Sequence, residues 1–171
     1  MEKTKSEIQP FDITVRKTKK SDLEKIDEIY KSVLNSKFCM WNENYPTMDD
    51  ILFDHNHENL FIFEVKNEII GAISVVKYSE LDSFDVWNKE ATPWVELSRL
   101  VIDKSKQNQG LARIFVEIIV EYLKENGIKS IRLSVAKDNI PALKIYNRVD
   151  FQIVGEFSEY EIDFYLCEKI I

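Results

Sequence analysis

A chain of 171 residues, 44% hydrophobic and 31% charged, carries enough apolar material for one buried core without disulfides or structural metal, and too much for a disordered segment. Its net charge of −7, with lysines and arginines scattered along the chain, makes a phosphate backbone a poor partner, so no nucleic-acid binding is expected. Two cysteines outside CxxC spacing, no apolar h-region behind the charged start and no apolar run of membrane-spanning length point to a cytoplasmic protein without membrane insertion.

Residues 1–10 are polar and aperiodic, and read as a disordered or extended tail before a single domain over 11–171. "ITVRKT" alternates as a strand. "SDLEKIDEIYKSVLNS" follows as an amphipathic helix with Ser21 or Asp22 as N-cap and Leu23, Ile26, Ile29, Tyr30 and Val33 on its apolar face. Pro46 and Thr47 open a short helix carrying Met48, Ile51 and Leu52. "NLFIFEV" and "IIGAISVVKY", β-branched or aromatic runs around the polar break "KNE", predict a hairpin.

A polar stretch from Ser79 to Thr92 leads to a strand from Trp94 to Ile102 and then a turn, "QNQGLA". Beyond it Leu111, Ile114, Phe115, Ile118, Ile119 and Tyr122 form one helical stripe that Gly127 ends. "SIRLSVA" is a strand, "NIPALKIYNRV" a short helix with Pro141 in its first turn, and "FQIVGEF" with "EIDFYLCEK" a terminal hairpin. Helices alternate with strands only in the second half. That pattern argues for an α/β fold on a central mixed, largely antiparallel sheet with helices on both faces.

The turn at Gly110 stands where a strand meets a helix. A helix N-terminus presents amides without intrahelical partners and partial positive charge, and glycine allows close approach, so such an end suits a phosphate. No Walker lysine motif and no GxGxxG occur, which disfavours ATP and NAD. Taken alone, Gly110 equally serves to relax a tight turn.

The run from Glu96 to Gly155 resembles the core of the GNAT acyl-CoA N-acyltransferases. The family turn Q/R-x-x-G-x-G/A is matched by Gln107, Gly110 and Ala112, and N-x-x-A-x-x-x-Y-x-x-x-G-F by Asn139, Ala142, Tyr146 and Phe151. Asp150 stands where glycine is usual, and Asp tolerates a left-handed backbone better than most residues. The resemblance implies that acetyl-CoA is the cosubstrate. Its pyrophosphate would rest on the turn Gln107, Asn108, Gln109, Gly110, Leu111, Ala112 and Arg113, and its pantetheine arm would pair with Leu100, Val101 and Ile102 like an added strand. An amide near Leu100 would face the thioester oxygen. Arg113 either adds charge or lies on a solvated helix face, and Asn139 caps its helix, binds the coenzyme, or does both.

Amine attack on a thioester needs an unprotonated amine, a polarised carbonyl and a proton for the thiolate. By resemblance Tyr146 is the acid, with a core tyrosine as the alternative. Glu96 occupies the position of the carboxylate base; the alternative is a carboxylate paired with Arg99 or another cation. The implied partners are acetyl-CoA and an amine of a small molecule or protein. An acyl-CoA-binding regulatory module without turnover is the alternative function.

His55 and His57 beside Asp54 lack a visible third and fourth ligand, so no metal site is expected. Cys39 and Cys167 have no activating context. Trp41, Tyr45 and Trp87 with Asp49, Asp82 and Asp85, in the two irregular segments, suit either a cationic amine or ordinary packing and solvation. The terminal hairpin is a candidate homodimer surface.

Overall fold

Residues 12–171 are described by the computed structural model; the expected tail, residues 1–10, and residue 11 lie outside it. The elements are β1 (Ile13–Lys17), α1 (Leu23–Val33), α2 (Met48–Asn56), β2 (Leu60–Val65), β3 (Glu68–Val76), β4 (Trp94–Ile102), α3 (Leu111–Glu125), β5 (Ser130–Ala136), α4 (Ile140–Arg148), β6 (Gln152–Glu159) and β7 (Ile162–Ile170), in the expected order. The strands form one sheet in the order β1-β2-β3-β4-β5-β7-β6. Each neighbouring pair is antiparallel except β4 and β5, which are parallel.

Alternation along β2 shows why both faces are covered. Phe61, Phe63 and Val65 point into a core shared with Leu111, Phe115 and Ile119 of α3, while Leu60 and Ile62 point into a second core with Ile26 and Ile29 of α1 and Ile51 of α2. Slipping β2 by one residue would exchange the two sets. Phe63 stacks on Phe115, ring centroids 4.6 Å apart, and both are fully buried. Truncating Phe115 to Ala should cost about 3–5 kcal/mol.

Three local expectations change. Asp22 stands at the N-terminus of α1 but makes no forward side-chain cap; it belongs to a 3-10 turn, Lys20–Asp22, and its carboxylate reaches back to the Lys19 amide at 2.6 Å. Arg16 holds the same carboxylate at 2.8 Å. The buried face of α3 is Leu111, Phe115, Val116, Ile119, Val120 and Leu123, with Ile114 and Ile118 partly buried and Tyr122 exposed. This helix is apolar around most of its circumference, so periodicity alone does not choose the side the sheet covers. The stretch Ser79–Thr92 is more than a polar connection, since Leu81 and Trp87 pack on Leu166 of β7. The Trp87 indole donates to the Leu81 carbonyl at 2.6 Å, and Arg132 lies over the rings of Trp87 and Trp94.

Cys167 is buried and Cys39 half-buried, and both are free thiols. Among the described residues no helix is long and apolar enough to cross a membrane.

Candidate functional site

The parallel pair in the sheet comes apart. β4 and β5 are in register only at Trp94↔Ser130, Val95↔Ile131 and Glu96↔Arg132, although β4 continues to Ile102 and β5 to Ala136. Their outer edges stay paired, β4 with β3 and β5 with β7. From Leu97 and Leu133 onward the facing edges therefore have no strand partner, and their backbone groups can pair with an extended ligand. Both strands run the same way, so α3 and α4, which follow them, begin at the open end of this gap.

β4 is also distorted there. Ala72↔Val101 and Ser74↔Ser98 set three residue steps on β4 against two on β3, a bulge at which Arg99 takes φ +51°. Gly71 lets the strands approach, since a Cβ there would lie 2.6 Å from the Val101 carbonyl oxygen. Leu100 is half-buried, Val101 and Ile102 buried.

At the open end, Gly110 begins α3 with φ +76° and ψ 4°, a left-handed conformation that glycine alone adopts freely. A Cβ on Gly110 would meet nothing within 4 Å, so the space before the backbone is clear. The first helical bond runs from the Ile114 amide to the Gly110 carbonyl, leaving the amides of Leu111, Ala112 and Arg113 without intrahelical partners. Asn108, at φ +61°, shapes the same loop with Gln109. The Gln107 side chain donates to the Ile102 carbonyl at 3.0 Å and so ties the turn to the end of β4. Arg113 pairs with Glu117 one turn on, 2.8 Å away, on an exposed helix face.

α4 presents Tyr146 through its two ends. Asn139 caps the start, its Oδ1 accepting from the Ala142 amide at 3.2 Å, with its amide nitrogen not used in that bond. The other end closes in a Schellman arrangement: the Asp150 amide donates to Asn147, the Phe151 amide to Tyr146, and Asp150 sits at φ +61°. The departure from glycine is thus tolerated. The motif's apolar contact is Tyr146 against Phe151, edge-on at 5.5 Å. Burial, with Cys167 nearby, raises the Tyr146 hydroxyl well above the usual phenol range, and burial pushes the Cys167 thiol up to about 11.

Glu96 lies where β4 and β5 begin to part. It accepts from the Ser79 hydroxyl rather than pairing with Arg99, whose guanidinium goes to Asp54 and to the Tyr45 hydroxyl. Burial pushes the Glu96 carboxyl above the usual carboxylate range; the Ser79 hydrogen bond and the Arg99 charge oppose this, while Glu80 and Asp54 add to it. A cleft of about 420 Å³ opens on the α1 side of the sheet, lined by Tyr30 and Lys31 of α1, by Leu34 just after it, and by Glu43, Pro46 and Thr47 beyond.

The irregular segments do not gather into one aromatic cage. Trp41 packs edge-on against Tyr30 and Tyr45 meets Arg99, whereas Trp87, Asp82 and Asp85 border a separate pocket of about 260 Å³ beside Arg132. Asp49 lies in the first turn of α2. His55 bonds the Thr18 hydroxyl and His57 the Phe53 carbonyl, each at 2.8 Å. Sequence reading weighed Asp54 only as a metal ligand beside His55 and His57, and gave Ser74 and Ser79 no role. Asp54 had a signal: it falls three residues after buried Ile51, hence on the apolar face of α2.

A family model described as acetyltransferase (GNAT) family matches residues 25–151. The probable spermine N(1)-acetyltransferase of Bacillus subtilis subsp. natto (strain BEST195) is 33% identical over 87 residues, covering 50% of this chain and 56% of that one. This chain thus spans about half the length of that curated relative. Among solved structures, a GNAT-family acetyltransferase from Streptococcus agalactiae 2603 superposes with a TM-score of 0.78 at 18% identity, covering 93% of this chain and 95% of that one. The Salmonella typhimurium protein yncA, solved with its cofactor acetyl-CoA, gives 0.71 at 16% identity, covering 92% and 93%. Both superpositions speak for the fold.

Proposed function

This chain belongs to the acetyltransferase (GNAT) family, and from that membership we propose that it moves an acetyl group from acetyl-CoA to a primary amine by direct transfer in a ternary complex. The observation that carries the reading is the parting of β4 from β5 beyond Glu96↔Arg132, opening toward the left-handed turn at Gly110. An extended arm ending in a pyrophosphate fits both features: unpaired strand edge for the arm, free amides and clear space for the phosphates.

On this reading the amides from Asn108 to Arg113 hold the pyrophosphate, Leu100, Val101 and Ile102 flank the arm, and Gln107 keeps the turn in place. The Asn139 amide nitrogen stays free for the coenzyme while its oxygen caps α4. When bound, acetyl-CoA supplies the thioester whose carbonyl carbon the amine attacks, forming C–N and breaking C–S. Glu96 takes the proton the amine loses, directly or through water. Its raised pKa makes it a better base near neutral pH than a free carboxylate. Tyr146 gives its proton to the departing thiolate. Burial raises the Tyr146 hydroxyl and the neighbouring Cys167 thiol alike, so it weakens the acid as it strengthens a thiolate base beside it; what Tyr146 contributes is a proton held at that place.

The partners are acetyl-CoA and the amine, without nucleic acid or membrane, and the compartment is the cytoplasm. The relative named for spermine suggests a polyamine among the acceptors. The terminal hairpin, with exposed Ile153 and Tyr160, supports a homodimer, which a concentration-independent monomer mass in light scattering would rule out. The function is tested by calorimetric titration with acetyl-CoA, ATP and NAD in parallel, then by thiol release in the presence of amines. Selective acetyl-CoA binding with amine-dependent thiol release is expected. Binding without release under any amine would favour the regulatory module instead.

A further inference from the structure

Three elements on the cleft side of the sheet converge on Arg99. Its carbonyl accepts from the Tyr30 hydroxyl of α1 at 3.1 Å. Its guanidinium donates to Asp54 Oδ2 of α2 through Nε at 3.1 Å and Nη2 at 2.5 Å, and through Nη1 to the Tyr45 hydroxyl at 2.9 Å. Asp54 is 1% exposed, and the same Oδ2 accepts from the Ser74 hydroxyl of β3 at 2.5 Å. Between Val33 and Met48 the chain forms no helix or strand beyond the bridge Asn42↔Tyr45, and residues on both sides of Tyr45 line the cleft.

We propose that Arg99 is a positioning residue of this site: its guanidinium, fixed by Asp54, ties the segment around Tyr45 to the β4 bulge and stations a positive charge beside Glu96. The inference rests on the reading of Glu96 as the base. Nε and Nη2 both converge on the one oxygen Oδ2 of a buried carboxylate, and with Nη1 on Tyr45 three donors of a planar guanidinium are engaged, so the hydroxyl of Tyr45 is tied to β4 through a rigid group. The charged groups acting on Glu96 are Asp54 from α2, Glu80 from the turn before β4, and Arg99 from its own strand, with the Ser79 hydroxyl as hydrogen-bond donor. Arg132, its register neighbour on β5, is engaged by Glu168 and Asp82. Among the described residues Arg99 supplies the positive charge that acts on Glu96, and without it Glu80 and Asp54 would hold the Glu96 proton to higher pH.

The test follows the Glu96 carboxyl by ¹³C NMR through a pH titration, assigned by its loss in Glu96→Gln, with steady-state kinetics using acetyl-CoA and spermine as the probe acceptor. In Arg99→Gln the midpoint should rise by about one pH unit. In Arg99→Lys, which keeps the charge and loses the fork, it should stay near the wild-type value. Tyr45→Phe should leave the midpoint unchanged and raise the KM for spermine roughly fivefold, with kcat within about twofold, because only the tie is cut. A wild-type midpoint in Arg99→Gln, or a wild-type KM in Tyr45→Phe, overturns the proposal. Should Arg99→Gln not fold, Arg99→Lys and Tyr45→Phe decide it, since a purely structural arginine would lower kcat without this KM split. Wild-type protein that leaves spermine unacetylated while the Arg99→Gln midpoint moves would sink the acceptor reading alone.

Discussion

Replacing Gly110 separates two contributions of one residue. At φ +76° any side chain other than glycine is strained by roughly 1–2 kcal/mol, least for Asn, and the neighbouring Asn108 already sits at φ +61°. A Cβ meets nothing within 4 Å, so no clash adds to that strain in the free protein. For a chain of this length Gly110→Val should therefore lower Tm by about 2–8 °C, and Gly110→Asn by only a fraction of that. Coenzyme binding should not follow the same order. Either side chain fills the clear space before the amides of Leu111 to Arg113, so both variants should weaken acetyl-CoA at least about tenfold, some 1.4 kcal/mol. Scanning calorimetry reads the first quantity and titration calorimetry the second. A Gly110→Asn protein with wild-type Tm and wild-type acetyl-CoA affinity would refute the pyrophosphate assignment and leave Gly110 as a turn residue only.

Glu96→Gln should lower kcat by about 10²–10⁴ with acetyl-CoA affinity within about twofold. Glu96 acts unprotonated, so wild-type turnover should fall as pH drops through its raised pKa, and Glu96→Gln should lack that limb. Ser79→Ala removes a bond that favours the carboxylate and should shift the limb to higher pH, as read in a pH profile of kcat. Tyr146→Phe should slow thiol release while leaving Tm and acetyl-CoA affinity close to wild type, since the ring contact with Phe151 remains. An unchanged rate would reassign Tyr146 to the core. Asp150→Val should destabilise by roughly 1–2 kcal/mol and Asp150→Gly should not, in thermal melts, because only glycine is free of the left-handed strain.

What could be read from the chain alone was whatever depends on near neighbours. Periodicity and caps settle within a few residues, so the order of all eleven elements, the stop of α3 at Gly127 and the left-handed turn at Asp150 were legible there. The motif around Gly110 and Tyr146 was legible for the same reason. Tertiary structure decided what depends on residues far apart. Which side of α3 is buried was set by the sheet it meets, leaving Tyr122 exposed and Val116, Val120 and Leu123 covered. The parting of β4 and β5 has no local signature, because it arises from two strands each held along its outer edge by a different neighbour. The junction at Arg99 draws on Tyr30, Tyr45, Asp54 and Ser74, up to 69 positions away. Hydrogen bonds between such distant residues exist only once the cores on both faces have closed, so the chain's own order could name candidate reacting groups but not what holds them in place.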